Sequence, residues 1–548
     1  MSRPYQVDAG PDDHTGGPDD RKGEPTRSGF ASGLGPPGAA TDGAPHMTDS
    51  PLKRLLVHTS HYSFIGLLTM VAGLITFPIL TRVFSVADYG VMNLVAATLT
   101  ISVALGKVGV QQSIIRYQSE ISSGKGQFTM AQLFSSTLLG MLGTSVVVAL
   151  ALGIGAQLVP ARWLGDVRIS HLLGIVSVVV VAQVLESALV NFVRAEQKTS
   201  TLLIYQVSKK YVGLALILAA VLLVARSLTS FYLATALVEI LAMIILARSM
   251  FREHPTPSLS QFSRPLYGEL IRFGAPMLIG YELSGIILSV GDRYIIEGFM
   301  GEAPLGLYAA AYNLCQYVQS VFIASVGQAI MPLYMQMWDR KGRDETAAFI
   351  ARALRTYVIM GGPVIAGLAA VGPELLPALA SDKYASAVGI LPWVIAGMVV
   401  DGTNSMLGAG LFIHRKTRII MPIVMSGALL NLVLNMLLIP RMGILAAAVA
   451  TLISYTVTAL GLGLAGRHLL PVAIPWATML RTAIGSVAML LAVRSIYPGR
   501  RLATVGVRVV LGAAIYLLVM VLIDGDARAM MKKGLARLRR SKGGAASS

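Results

Sequence analysis

From residue 58 onward the chain alternates long apolar runs with short polar connections. A run of about 20 apolar residues is long enough for a helix, rising about 1.5 Å per residue, to cross about 30 Å of hydrocarbon. The pattern predicts an all-α polytopic membrane protein with about fourteen transmembrane helices, at 58–80, 88–109, 130–159, 170–193, 202–224, 230–250, 270–291, 305–335, 347–371, 387–411, 418–439, 443–465, 474–496 and 503–523.

A helical hairpin between Pro78 and Tyr117 recurs later in the chain. The second copy lies near Asp292 to Asn313, and Gly306 lies 216 residues after Gly90 (306 − 90). Each glycine follows an acidic turn and precedes a helix rich in small residues. We therefore predict two six-helix lobes related by an internal repeat, plus two C-terminal helices. The predicted segments are an N-terminal tail (1–54), an N-terminal lobe (55–252), an inter-lobe linker (253–269), a C-terminal lobe (270–466), helices 13 and 14 (467–523) and a basic tail (524–548).

The two tails differ in composition from the rest of the chain. Residues 1–50 are rich in Gly, Pro, Asp and Ser, so they bury too little apolar surface to offset the entropy of ordering, and we expect a disordered cytoplasmic tail. No apolar segment typical of a signal peptide follows the N-terminus, and translation could start at Met1 or at Met47. The C-terminal tail is basic and amphipathic, which fits either an anionic membrane surface or a simple anchor for the last helix.

Composition supports a membrane environment. The chain of 548 residues is 54% hydrophobic and 13% charged, with a mean hydropathy of +0.66, which exceeds what a soluble core can bury. The net charge of +17 falls in the connections between apolar runs, and no nucleic-acid motif accompanies it. The single cysteine, Cys315, lies in an apolar run and is expected to be a core residue.

The distribution of basic residues predicts the orientation. With the N-terminus in the cytoplasm, the inner connections carry about 30 of the 45 Lys and Arg residues and the outer connections carry about 11. Both termini are then cytoplasmic. The last outer connection departs from this rule because it contains Arg494, Arg500, Arg501 and Arg508.

Charged residues inside the predicted spans are candidate functional groups. An ionised side chain in hydrocarbon costs at least about 2.5–3.5 kcal/mol on insertion scales, so it tends to face a water-filled cavity or a partner. Those near cytoplasmic ends, such as Lys107 and Arg116, can reach the interface instead. Four acidic residues lie deeper, where a lumenal role and a structural role are both open: Glu186, Glu239, Glu282 and Asp401.

The sequence contains no convincing enzyme motif. A GxGxxG match at Gly461, Gly463 and Gly466 falls within an apolar helix, and no phosphate-binding loop of the GxxxxGK[ST] type is present. We predict no catalytic site, no cofactor and no metal site. Pro78 and Pro276 interrupt the first and seventh predicted helices, where they fit either ordinary packing or hinges for alternating access.

Three segments resemble the polysaccharide and O-antigen repeat-unit flippases, a branch of the multidrug/oligosaccharidyl-lipid/polysaccharide exporter superfamily. They are TRVFSVADYGVMNL (81–94), followed by Gly109 and IIRY (114–117), then GPELLPALASDKYASA (372–387), and MPIVMSGALLNLVLNMLLIPRMGILAAAVATLISY (421–455). Their order along the chain is also that of the family.

This resemblance implies a V-shaped bundle of six plus six helices around a central cavity, with two further helices. It also implies a substrate, an oligosaccharide on an undecaprenyl pyrophosphate carrier, moved from the inner to the outer leaflet of a bacterial plasma membrane. The implied partners are this lipid-linked oligosaccharide, membrane lipids and polysaccharide polymerase or chain-length machinery, with no nucleic acid.

An anionic pyrophosphate needs cationic partners within an apolar layer. We predict headgroup contacts from six basic residues, of which only Arg82 and Arg116 lie in matching motifs: Arg82, Arg116, Lys209, Lys210, Arg272 and Arg293. Glu282 and Asp401 are candidate ion- or proton-coupling sites. Two alternatives are open: an ion-coupled small-molecule (multidrug) antiporter of the same superfamily, which predicts a cavity without cationic lining, and a membrane glycosyltransferase, polymerase or ligase, which would need a sizeable outer domain.

Overall fold

The chain folds into helices throughout the part that the computed structural model describes, which is residues 68, 70–124, 127–158, 166–322, 324–495, 502–525 and 528. No β-strand occurs in these ranges. We number the principal helices α1 Met70–Val83, α2 Val86–Lys107, α3 Val110–Ser122, α4 Met130–Leu158, α5 Val167–Ala195, α6 Thr199–Ala219, α7 Leu228–Met250, α8 Arg264–Met300, α9 Glu302–Phe322, α10 Ala324–Leu379, α11 Asp382–Leu407, α12 Thr417–Met442, α13 Ile444–Gly466, α14 Trp476–Ser495 and α15 Leu502–Ile523.

The predicted all-α membrane fold is confirmed. Within the described residues, 12 helices are long and apolar enough to cross a membrane, and α1 is a shorter apolar helix. The count of fourteen stays a prediction, because the expected first helix begins at residue 58 and the description begins at residue 68. The predicted tails 1–54 and 524–548 lie outside the described residues, apart from residues 524, 525 and 528.

Two connections bear on the sequence-based prediction. The expected turn near residue 340 is present as a kink at Gly342, whose φ of 77° divides the range of α10 into two helical segments. The linker before α8 is shorter than expected, since Pro265 lies in the first turn of that helix, where its missing N–H is no loss. The remaining linker contacts α4, because the backbone N–H of Ser263 donates to Ser136 Oγ at 2.8 Å.

Helix α8 changes its winding just after Pro276. A wider π-helical turn spans Leu278–Leu283, and regular helix resumes at Ser284. Proline has no N–H to donate and crowds the preceding turn, which accounts for the irregularity. The residues between 278 and 283 include Glu282, so this turn also sets the direction of a charged side chain.

The two predicted halves share one apolar core. It joins residues of α2, such as Val91 and Val95, to residues of α9, such as Tyr308 and Cys315, all of them fully buried. A second core lies mainly among the helices of the first half, including α4 and α5, and it also contains Leu266 and Leu270 of α8. Cys315 is thus a core residue, as expected from its position in an apolar run.

The last two helices are fixed to α10 by buried ion pairs. The fully buried carboxylate of Asp524 accepts hydrogen bonds from Arg355 at 2.8 and 3.0 Å and lies 3.4 Å from Arg481 of α14. A second pair joins Arg508 of α15 to Glu374 of α10 at 2.9 Å. Arg508, an exception to the charge rule in the sequence, therefore lies within the protein.

We expect Asp524→Asn to lower the stability of the α14–α15 contact by about 2 kcal/mol. The substitution removes a charge-assisted hydrogen bond, and such a bond contributes roughly 1.5–3 kcal/mol to stability. The side chain that replaces the carboxylate is a neutral amide, which still faces the two arginines. The thermal midpoint of the purified protein in detergent measures the loss. Asp344→Asn, an exposed carboxylate of α10, is the matched control and should leave the midpoint closer to that of the wild type.

Candidate functional site

A cavity of about 1340 Å³ opens among the helices of the second half and α3. Apolar side chains form most of its surface, with charged groups at a few positions. Residues from α3, α8, α10, α11 and the loop before α12 contribute to it, including Arg116, Phe273, Glu282, Met331, Asn404 and Arg415. Its volume is larger than the about 300–1,000 Å³ of common ligand pockets, so it has room for a large organic ligand.

Arg116 is the predicted headgroup residue that reaches this cavity. Its guanidinium carbon lies 4.6 Å from the ring centroid of Phe273 and 5.9 Å from that of Tyr117. These cation–π contacts orient the side chain and leave its N–H groups available to a ligand. Arg415, one of the basic residues in the predicted inner connections, also lines the cavity. Its position could not be inferred from spacing, because it depends on the packing of the loop before α12.

Glu282 also lines the cavity and connects it to the first half of the chain. Its Oε2 accepts a hydrogen bond from Gln111 Nε2 of α3 at 2.8 Å. Asp401, the other predicted coupling residue, accepts from Asn404 Nδ2 at 2.8 Å and does not line the cavity. The structure therefore separates the two acidic candidates.

Arg82 lies at the predicted outer end of α1 and not at this cavity. Its guanidinium donates to the carbonyl oxygens of Leu379 at 2.6 Å and Ala378 at 2.7 Å, the last turn of α10. Lys383 makes the reciprocal contact, donating to Phe84 O at 2.9 Å just after α1 ends. Cations are stabilised at helix C-termini by the exposed carbonyls, so the two contacts hold the outer ends of α1 and α10 together.

Arg293 is buried beside Asp292, also outside the cavity. Its Nη1 lies 3.6 Å from Asp292 Oδ1, and its guanidinium carbon lies 4.9 Å from the ring centroid of Tyr312. The Tyr308 hydroxyl donates to the fully buried Asp292 carboxylate. Arg293 therefore has protein partners in this conformation.

The remaining predicted cations lie elsewhere. Lys209 is held between Glu186 and Glu239, at 2.5 and 2.7 Å. Lys210 and Arg272 are exposed side chains that do not line the cavity. The predicted basic set is thus distributed over several places, and Arg116 is its one member among the cavity-lining residues of the described chain.

Two close backbone contacts join the halves, one at each end of α2. At the predicted outer end, a Cβ atom on Gly306 would lie 1.9 Å from Val86 O, and one on Gly90 would lie 2.1 Å from Glu302 O. At the predicted inner end, a Cβ atom on Gly274 would lie 2.1 Å from Gly109 O. Side chains reinforce both contacts: Asn313 Nδ2 donates to Tyr89 Oη at 2.8 Å, and Ser113 Oγ donates to Leu270 O at 2.8 Å.

A cluster at the predicted inner surface has the residue types of a metal site. The ligand atoms of Glu196, Glu253 and His254 lie within 4.8 Å of one another. Lys198 donates to both carboxylates, to Glu196 at 2.8 Å and also to Glu253. These hydrogen bonds raise the pKa of Lys198 above its usual value, first through Glu196 and then through Glu253. The ammonium therefore stays charged where a metal ion would need to bind.

Comparison with known proteins identifies a family and a fold. A family model described as "Polysaccharide biosynthesis protein" matches residues 79–389, more than half of the chain. The probable low-salt glycan biosynthesis flippase Agl15 of Haloferax volcanii is 22% identical over 190 residues, covering 33% of this chain and 40% of that protein. The succinoglycan biosynthesis transport protein ExoT of Rhizobium meliloti is 20% identical over 346 residues, covering 62% of this chain and 64% of that protein. The aligned part is thus less than two thirds of either relative.

Solved structures share the fold at low sequence identity. The lipid II flippase MurJ in an inward closed conformation superposes with a TM-score of 0.67 at 15% identity, over 86% of this chain and 99% of that one. An inward-facing multidrug resistance MATE family transporter of the MOP superfamily gives 0.55 at 14% identity, over 77% and 96%. At these identities the likeness describes the arrangement of helices.

Proposed function

The chain belongs to the polysaccharide biosynthesis protein family, as the sequence motifs indicated, and within that family we propose that it is a flippase for lipid-linked oligosaccharides. The finer proposal is that it moves repeat units on undecaprenyl pyrophosphate from the inner to the outer leaflet of a bacterial plasma membrane, by alternating access and without catalysing a reaction. Both termini are then cytoplasmic, and a polysaccharide polymerase would take over the product.

The cavity lined by Arg116 and Arg415 is the observation that carries this proposal. Two guanidinium groups on a mostly apolar wall suit a headgroup with charged phosphates, because arginine donates two parallel hydrogen bonds to phosphate oxygens. The antiporter alternative predicts a cavity without cations and is not favoured by this lining. Glu282 on the same wall would repel a phosphate, so we place the headgroup on the side of the two arginines.

A second, nearly apolar groove of about 600 Å³ lies between α10, α14 and α15. It is lined by residues such as Pro363, Leu368, Met489 and Tyr516. Moving apolar surface out of water stabilises by about 25 cal/mol per Å². A lipid tail in the bilayer is already out of water, so it gains little of this free energy on entering the groove. The groove would therefore guide the tail more than bind it tightly. It supports a lipid substrate whose headgroup and tail occupy different places.

Depletion of the gene tests the function itself. We expect undecaprenyl-linked oligosaccharide to accumulate on the cytoplasmic face of the membrane, as measured by extraction of lipid intermediates and by their access to a glycosidase in inside-out vesicles. An unchanged pool after depletion would contradict the flippase proposal.

Arg116→Gln tests the headgroup site within the intact protein. Because one charge-assisted hydrogen bond contributes roughly 1.5–3 kcal/mol, we expect affinity for a short-chain polyprenyl pyrophosphate to fall by about 10- to 100-fold. Binding to the purified protein, followed by microscale thermophoresis, measures this. Arg340→Gln, an exposed arginine of α10 outside the cavity, is the control and should bind as the wild type does. Equal affinity in both variants would remove Arg116 from the site.

A further inference from the structure

Glu282 is an acidic side chain that reaches the large cavity described above. Its position depends on the irregular part of α8, since the π-helical turn Leu278–Leu283 contributes both Tyr281 and Glu282 to the cavity wall. Single π-helical turns are rare and occur frequently at functional sites. Among the cavity-lining residues of the described chain, Glu282 is the one carboxylate, so it gives that part of the wall a charge opposite to that of the arginines.

One oxygen of the Glu282 carboxylate is held by the protein and the other is available. Oε2 accepts a hydrogen bond from Gln111 Nε2 at 2.8 Å, whereas Oε1 accepts none from the residues that the structure describes and is not fully enclosed. Within the same ranges Glu282 forms no ion pair shorter than 4.0 Å. Lys107 interacts with it electrostatically but does not line the cavity. Oε1 can therefore accept a hydrogen bond from a ligand.

The wall around Glu282 offers further hydrogen-bond acceptors. Asn404 donates to Asp401 Oδ1 at 2.8 Å, and its own Oδ1 is buried without a partner among the described residues. The hydroxyls of Ser289 and Thr458 donate to carbonyl oxygens of their own helices at 3.0 and 2.9 Å, which leaves their lone pairs as acceptors. All three side chains line the cavity. A ligand rich in O–H or N–H donors, such as a sugar, fits this part of the wall.

The carboxylate and the guanidinium group of Arg116 lie apart along the cavity. Gln111, the partner of Glu282, precedes Arg116 by five residues (116 − 111) on α3, which is about 7.5 Å along that helix. Phe273, whose ring lies under the Arg116 guanidinium, precedes Glu282 by nine residues (282 − 273) on α8, which is about 13 Å. The two charged groups are thus separated by on the order of 10 Å. A phosphate beside the arginines would therefore place the adjoining sugar toward Glu282.

We propose that Glu282 selects the sugar next to the pyrophosphate, so that a neutral sugar is accepted there and a uronic acid is rejected. This inference rests on the proposed function, because the phosphate bound by the arginines is what places the sugar. A neutral sugar donates a hydroxyl or amide hydrogen to Glu282 Oε1, and the hydrogen bond is strengthened by the charge of the carboxylate. A uronic acid brings a second carboxylate to the same place, where the two like charges repel.

The size of this selection follows from the repulsion between the two carboxylates. Two unit charges about 6 Å apart, at an effective dielectric constant of about 20, repel with a free energy that corresponds to about 100-fold in affinity. Water that remains in the cavity weakens the repulsion. We therefore expect a preference of about 10- to 100-fold for the neutral sugar.

Two probes that differ by one carboxylate test the selection. The purified full-length protein should bind farnesyl pyrophosphoryl glucose about 10- to 100-fold more tightly than farnesyl pyrophosphoryl glucuronic acid, at neutral pH and fixed ionic strength. In Glu282→Gln the ratio of the two affinities should fall close to one, chiefly because the acidic probe gains affinity. The glutamine keeps an oxygen for the hydrogen bond from Gln111, so the variant should fold. A gain in affinity is also a result that misfolding cannot produce.

Glu120→Gln is the matched control for this experiment. Glu120 is an exposed carboxylate of α3, the helix that carries Arg116, and it does not line the cavity. The control should keep the ratio of the wild type. Equal affinity of the wild type for both probes, an unchanged ratio in Glu282→Gln, or an equal loss of selection in Glu120→Gln would overturn the role of Glu282. Absence of binding by either probe would instead overturn the proposed headgroup function.

Discussion

Gly306→Ala should move the protein out of the conformation that is closed at the predicted outer end. The added Cβ atom would lie 1.9 Å from the backbone oxygen of Val86, and a backbone atom cannot rotate away as a side chain can. Overpacking a tight contact costs about 1–3 kcal/mol or more, and we expect the upper end here. A cost of about 3 kcal/mol changes the ratio of closed to open forms by about 100-fold.

Cysteine labelling measures this shift, since the chain has one cysteine, the buried Cys315, which Cys315→Ala removes. Thr81→Cys then reports on the outer end, because Thr81 is 0% exposed and its hydroxyl donates to Ala380 O at 3.0 Å. Its maleimide labelling should speed up strongly in Gly306→Ala. Gly298→Ala, where a Cβ atom meets nothing within 4 Å, is the matched control. Equal labelling in both variants would show that the glycine contact does not hold the outer end closed.

The sequence pattern identified these two glycines as equivalent but could not show that they touch. Gly90 and Gly306 follow acidic turns at the same place in each repeat, which the spacing of 216 residues revealed. Their contact depends on how α2 and α9 cross, and a crossing is set by side-chain packing along both helices. A repeat in sequence therefore predicts two similar modules without predicting the surface that joins them.

Helix limits were predictable where one apolar run forms one helix. The predicted 418–439 and 443–465 correspond to α12, Thr417–Met442, and α13, Ile444–Gly466. Near residue 340 the predicted connection corresponds to a break at Gly342, where the backbone is not helical, but helical turns continue on both sides of it past the apolar runs. Hydropathy reports the lipid boundary, whereas helices can continue past it into water.

The partners of the charged residues could not be predicted from spacing. Lys209 was expected to contact a headgroup, yet the residues that surround it, Glu186 and Glu239, lie 23 and 30 positions away on separate helices. The free-energy cost of burying a charge shows that such a cation needs a partner. It does not show whether that partner is a ligand or a carboxylate of the same protein. A family motif pointed to both Arg82 and Arg116, yet only Arg116 lines the cavity among these two, so the motif did not determine the position either.

Gly274→Ala should produce the opposite response, opening the predicted inner end. A Cβ atom on Gly274 would lie 2.1 Å from Gly109 O and 2.5 Å from Gly109 C. Gly109 has a φ of 75°, so a substitution there would combine backbone strain with the steric clash. Gly274 is the better position, because a substitution there tests the clash alone. The contact again involves backbone atoms on both sides, so we expect a cost of about 3 kcal/mol for the closed inner end.

Ser113→Cys in the same Cys315→Ala background reports on this end, because Ser113 is 0% exposed and its hydroxyl donates to Leu270 O. Its labelling should speed up in Gly274→Ala and stay slow in Gly268→Ala, where a Cβ atom meets nothing within 4 Å. If access alternates, each variant should expose one reporter and protect the other, since only one end opens at a time. Faster labelling of both reporters in both variants would instead indicate general loosening, and alternating access would then lose its structural basis in these two glycine contacts.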